Sequence, residues 1–177
     1  TGHNFQNENS HDTRHKDPMT YIHPVIDIVQ SPKRPGRTCG DVTAWYRNQA
    51  GTVLIVADGL GSGVTANLDA TLFVSWLRQR LEDGDSLREA MNSVVRTSRE
   101  ARRDDVPFAA ISVARIRPDG AAVILGHEAP PPVVISDRCA AVPRHHTLTM
   151  SGETVRESHC HLEAGDALML VSDGVTQ

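Results

Sequence analysis

The sequence predicts an α+β fold, and three observations carry that prediction. A short continuous apolar run, VLIV (residues 53–56), reads as a buried strand; two stretches after it repeat at helical spacing; from residue 108 onward the texture turns to short strands. Helices grouped together, rather than alternating with strands, favour α+β over a parallel sheet. The 177 residues are enough for one domain with a real core.

Taken in order, residues 1–18 (TGHNFQNENSHDTRHKDP) are polar, carry His3, His11 and His15, and read as a disordered arm or a tag-derived leader; residues 19–177 are the domain. Residues 21–29 are expected to form a first strand, and SPKRPGR (residues 31–37) a proline-rich loop. Beyond VLIV, the residues Val64, Leu68, Leu72, Phe73, Trp76, Leu77 and Leu81 recur at three- and four-residue steps up to Gly84. That spacing predicts one amphipathic helix with a glycine stop. Ser86 and Glu89 have capping-box spacing, and Leu87, Met91, Val94 and Val95 give a second helix one apolar face. Its basic end, with Arg102 and Arg103, complements the helix dipole and reads as a solvated face. FAAISVARI (residues 108–116) and AAVIL (residues 121–125) flank the turn RPDG, which predicts an antiparallel hairpin. Further strands are expected at residues 133–135 and 167–171, the last entered through the turn EAGD.

Composition narrows the function. Aromatic residues are only 4% of the chain, so the core should be aliphatic. A formal charge of −4 lacks the basic excess that nucleic-acid binding requires, which sets that class aside. No apolar run approaches the roughly 18 residues of a membrane span. Cys39, Cys139 and Cys160 are widely spaced with no C-x-x-C pair, which suits a reducing cytosol. A cytoplasmic protein is therefore expected.

The chemistry concentrates where two strands end. VLIVADG (residues 53–59) and LMLVSDG (residues 168–174) each place an aspartate and then a glycine where an apolar run meets the surface. One such ending is an ordinary turn. If the two strands lie side by side, Asp58 and Asp173 converge, and two uncompensated carboxylates would repel and take up protons. Hard divalent cations remove that conflict, and Gly59 can offer a backbone carbonyl with no side chain in the way. Two such ions can activate a water for attack on phosphorus. A rival reading comes from residues 61–66, GSGVTA, which fit the dinucleotide pattern G-x-G-x-x-A. That fold needs a parallel strand after a single helix, whereas here a second capped helix and a hairpin follow.

CGD (residues 39–41), VADGLGSGVTAN (residues 56–67), GHEAPPPVV (residues 126–134) and LMLVSDGVTQ (residues 168–177) occur in that order. In this the chain resembles the bacterial metal-dependent protein phosphatases of the protein phosphatase 2C superfamily, SpoIIE branch, and among them the stressosome type. The resemblance implies an antiparallel β-sandwich flanked by helices, which binds two Mn²⁺ or Mg²⁺ ions and hydrolyses phosphoserine and phosphothreonine on partner proteins. The expected partner is a phosphorylated STAS-type regulator in stress or sigma-factor partner switching. By position, Asp58 is expected to bridge the metals, Gly59 to lend its carbonyl, Asp173 to bind one metal, and Asp41 to act as an early acid in direct or water-mediated contact. The attacking group is expected to be a metal-bound water, with no side-chain nucleophile. Two departures stand beside this. The family carries a further Asp-containing strand beyond SDGV, so one ligand and a closing segment are expected to be missing from residues 19–177. Glu128 and Ala129 also separate His127 from the proline that the family has soon after its histidine. The missing acid motivates a second reading, a catalytically silent relative that binds its partner without turnover.

Other residues have blander readings. His127 is expected to be a hydrogen-bonded structural histidine, Arg37 a loop arginine with a possible part in phosphate binding, and Cys39 packing. HCH (residues 159–161) alternates like a strand face, and zinc binding there would need ligands that the sequence does not mark.

Overall fold

Period-two burial builds two sheets, and the helices cover one of them. The computed structural model describes residues 21–32, 36, 38–103 and 109–175. The elements are β1 (Asp41–Asn48), β2 (Gly51–Gly59), α1 (Val64–Glu82), α2 (Leu87–Arg103), β3 (Ala109–Ile116), β4 (Ala121–His127), β5 (Val133–Ile135), β6 (Ala140–Ala141), β7 (His145–Met150), β8 (Glu153–His161), β9 (Ala167–Met169) and a 3₁₀ turn, Asp173–Val175. Six strands form one sheet in the order β1-β2-β3-β4-β8-β7, and three form another in the order β6-β5-β9. Every strand pair is antiparallel. The α+β expectation holds.

Alternation sorts each strand's residues between two cores. Val53, Ile55 and Ala57 of β2 and Ile111 and Val113 of β3 join Phe73 and Leu77 of α1 and Met91 and Val94 of α2 in a buried cluster. Ala114, Ile116, Ala122 and Ile124 form a second cluster with Leu54, and Val134 of β5 and Leu168 of β9 pack on it. Each fully buried valine, leucine, isoleucine, phenylalanine or methionine among them stabilises the fold by about 1.5–3 kcal/mol. Asp58 follows Leu54 and Val56 in the alternation and so shares the face of β2 that looks to the smaller sheet.

The second helix forms as expected. The Ser86 backbone N–H donates to Glu89 Oε2 at 2.9 Å, and the Glu89 N–H donates to Ser86 Oγ at 3.3 Å, a complete capping box. Gly120 closes the β3–β4 turn at φ +87°, a left-handed conformation that suits glycine.

Three expectations need correction. Residues 21–29 are not a strand; Ile22 donates one bond to the Pro118 carbonyl at 2.8 Å, and no ladder follows. Pro24 has no N–H to contribute to one. The apolar face of α1 is also different from the spacing: Ala66, Ala70, Phe73, Val74, Leu77 and Leu81 are buried, whereas Val64, Leu68 and Leu72 are exposed. Spacing finds an apolar stripe but does not say which stripe meets the sheet. The strand expected at residues 53–56 runs the full length of β2, and that at 167–171 shortens to β9. As the order of elements implies, β3 lies beside β2 antiparallel, without the parallel crossover of a dinucleotide fold. The strands β1, β6 and β7 were not anticipated, and of β8 only its end, HCH, read as a strand face. The expectations for residues 1–18 and for Arg37 lie outside the described residues. No helix among the described residues is long and apolar enough to cross a membrane.

Candidate functional site

Two strand ends and a turn bring three acids together. Asp41 opens β1 and stands directly opposite Asp58 in the β1–β2 register. Like charges placed opposite each other destabilise a strand pair, so this pairing has a cost that packing does not explain. Asp173 reaches the same place from the 3₁₀ turn after β9. The condition that β2 and the last strand lie side by side is not met, since they belong to different sheets; Asp173 instead arrives from the turn that follows β9.

The electrostatics follow from that convergence. Asp58 is pushed from an ordinary 3.8 to about 7, first by burial, then by its contacts with Asp173 and Asp41. Ser172 Oγ donates to Asp41 Oδ2 at 2.7 Å, tying the segment after β9 to the start of β1. Ser172 was not singled out in the sequence, although it sits within the SDG motif. Asp41 and Ser172 also line a cavity of about 850 Å³ whose walls include Trp45, Leu54 and Leu168, so these groups face open space rather than packed core.

Glycines and one asparagine set the approach of α1. A Cβ on Gly59 would collide with the Ala66 backbone carbonyl, so the end of β2 and the first turn of α1 come this close only with glycine there. Asn67 Nδ2 donates to the Cys39 carbonyl at 2.9 Å and holds the CGD segment against the same helix. Gly61 and Gly63 take φ +93° and +80° in the loop between. The thiol of half-buried Cys39 points to the Ser31 carbonyl at 3.8 Å, in keeping with a structural role.

The remaining residues fall elsewhere. His127 is buried with Nδ1 3.3 Å from the Thr154 carbonyl, the structural role expected of it. Glu128 takes φ +55°, and Arg156 Nη2 donates to the Ala129 carbonyl, so the inserted pair is anchored to β8. Of HCH, His159 lies with Glu157 and His146, while Cys160 packs into the other cluster. Among the described residues, these three are the group of metal-type side chains whose ligand atoms all lie within 4.8 Å of one another.

Solved structures share this architecture. The phosphatase domain of SpoIIE from Bacillus subtilis superposes with TM-score 0.71 at 19% identity, covering 83% of this chain and 44% of that one. RsbX in complex with magnesium gives 0.65 at 17%, covering 82% and 72%. The RsbU and RsbW domains of Rv1364c from Mycobacterium tuberculosis give 0.64 at 22%, covering 82% and 42%. The chain thus spans less than half of two of these three proteins. No curated protein matches the chain at a significant level. The layers and these likenesses define the fold of a protein phosphatase 2C-type domain. The family model for Stage II sporulation protein E (SpoIIE) matches residues 48–177, most of the sequence, and the chain belongs to that family.

Proposed function

We propose that this protein is a metal-dependent serine/threonine protein phosphatase that acts in the cytoplasm on a phosphorylated STAS-type regulator of a bacterial partner-switching pathway. The observation that supports it most is the meeting of Asp41 and Asp58, from neighbouring strands, with Asp173 from the 3₁₀ turn after β9, and with Asp58 driven to about 7. A donor set of carboxylate oxygens suits Mn²⁺ or Mg²⁺, and the mutual repulsion of the acids is the deficit that such ions fill. Two bound ions supply positive charge at the phosphoryl oxygens and a water acidic enough to react at neutral pH.

In this reading the chain's own residues hold and orient. Asp58, in contact with both other acids, would be the ligand shared between the ions, Gly59 would lend a carbonyl, and Asp173 would bind from the 3₁₀ turn after β9. Asp41, hydrogen-bonded to Ser172, keeps the two layers in register and takes the outer position. Membership of the SpoIIE family and the likeness to RsbX support the partner class.

The test is Mn²⁺-dependent hydrolysis of p-nitrophenyl phosphate, followed by a phosphorylated STAS-type protein. Turnover that requires Mn²⁺ and disappears in both Asp58→Asn and Asp173→Asn supports the proposal. Absence of turnover, with binding to the STAS-type protein retained, would instead identify a silent binding module.

A further inference from the structure

At the sheet edge opposite β1, strands β7 and β8 present a second cluster of a different kind. His146 stands directly opposite Glu157 in the register, and His159 follows two residues along β8 on the same face. His146 Nε2 lies 3.2 Å and His159 Nε2 2.6 Å from one oxygen, Glu157 Oε1. The two rings stack with centroids 5.6 Å apart and planes 14° from parallel. Glu157 is wholly buried, whereas the histidine side chains are 57% and 53% exposed. A fixed carboxylate and two movable imidazoles therefore meet at the surface.

Hydrogen bonding alone leaves this cluster overcrowded. Arg88 grips Glu157 with two bonds of 2.6 Å, Nε to Oε2 and Nη2 to Oε1. Oε1 then faces three nitrogens, Arg88 Nη2 and the two imidazole Nε2 atoms, but a carboxylate oxygen has only about two lone-pair directions. A single cation between Oε1 and the two Nε2 atoms relieves the crowding by replacing donor protons with shared lone pairs. Arg88 keeps Oε2. Tetrahedral zinc at about 2.0–2.1 Å from each ligand sets neighbouring ligand atoms about 3.3 Å apart. The present spacings from Oε1, 2.6 and 3.2 Å, fall just short of that value, and all three atoms lie within 4.8 Å of one another, so small outward rotations of the exposed rings complete the geometry.

We propose that His146, Glu157 and His159 form a second metal site, selective for a zinc-type transition-metal ion, with its fourth position open to solvent. Two imidazoles with one carboxylate suit zinc and its neighbours, and suit Mg²⁺ poorly. Glu157 is already held ionised by Arg88, so no proton need leave it for a metal to bind. The site joins β7 to β8 and, through Arg88, to the start of α2, away from the three acids.

Zinc stoichiometry of the full chain, measured by competition with a chromogenic chelator, tests this in wild type, the His146→Ala/His159→Ala double variant and Asp58→Asn. The histidines of residues 1–18 are common to all three and cancel in the differences. The expected result is the loss of one zinc equivalent in the double variant alone, with its circular dichroism unchanged. Added Zn²⁺ should raise the melting temperature of wild type but not of the double variant. Equal stoichiometry in wild type and the double variant would overturn the proposal and leave a hydrogen-bonded cluster only. Loss of the equivalent in Asp58→Asn, with retention in the double variant, would assign the zinc to the three acids and overturn it equally.

Discussion

Asp58 and Glu157 lie in strands of the same sheet, toward its opposite edges, and their surroundings push them in opposite directions. Asp58 is raised to about 7 by burial and by two further acids. Glu157 is lowered to about 2, chiefly by hydrogen bonds from Arg88, against the opposing effect of burial, with help from His159 and His146. Burial penalises the charge in both places, so neighbours decide the outcome. Where the fold supplies its own cation, Arg88, the carboxylate keeps its charge. Where it supplies more acids the site stores a demand for cations from solution. The donor types differ as well, oxygen against nitrogen and oxygen, and should sort hard ions from zinc-type ions.

The comparison can be broken most sharply at the acids. Asp58→Asn should reduce Mn²⁺-dependent phosphatase turnover by about 10³-fold, since metal-ion catalysis supplies several kcal/mol and each 1.36 kcal/mol is a decade. The His146→Ala/His159→Ala variant should leave that rate unchanged, as steady-state kinetics at saturating Mn²⁺ can show. Gly59→Ala should lower both the melting temperature and turnover, because its Cβ meets backbone that cannot swing aside. On α1, Leu77→Ala should cost about 2–5 kcal/mol, whereas Leu68→Ala on the exposed stripe should stay within about 0.5 kcal/mol. Chemical denaturation distinguishes the two.

A smaller effect concerns pH. A carboxyl whose folded-state pKa is raised holds its proton in the folded chain while the unfolded chain has lost it. Stability from that proton is present below pH 3.8 and is lost as pH rises through about 7. Without divalent cations, Asp58→Asn should therefore be more stable than wild type, by a margin that widens from pH 4 to pH 7.5. Thermal melts in chelator should show the widening, and saturating Mn²⁺ should abolish it.

Much of the acid site was legible in the sequence because its signals are local. Asp58-Gly59 and Asp173-Gly174 end apolar runs, and Asp41 closes CGD. How they meet was not legible, because pairing across two sheets depends on which strands share a layer. β1 was overlooked because the alternation of Val42, Ala44 and Tyr46 is brief and is blurred by Trp45, an exposed aromatic between them. Residues 21–29 carry a better apolar pattern yet find no edge to pair with. The histidine cluster was half visible in HCH, but His146 comes from an unrecognised strand and meets Glu157 only through register. The outward stripe of Val64, Leu68 and Leu72 shows the same limit from the helix side.

The most direct test of the central claim is calorimetric titration of Mn²⁺ into wild type and Asp58→Asn at pH 6.5 in buffers of different ionisation enthalpy. Binding to wild type should be accompanied by proton release, because Asp58 must give up its proton to become a ligand, and both should be lost in the variant. Mn²⁺ binding of equal strength and proton balance in the two proteins would contradict it.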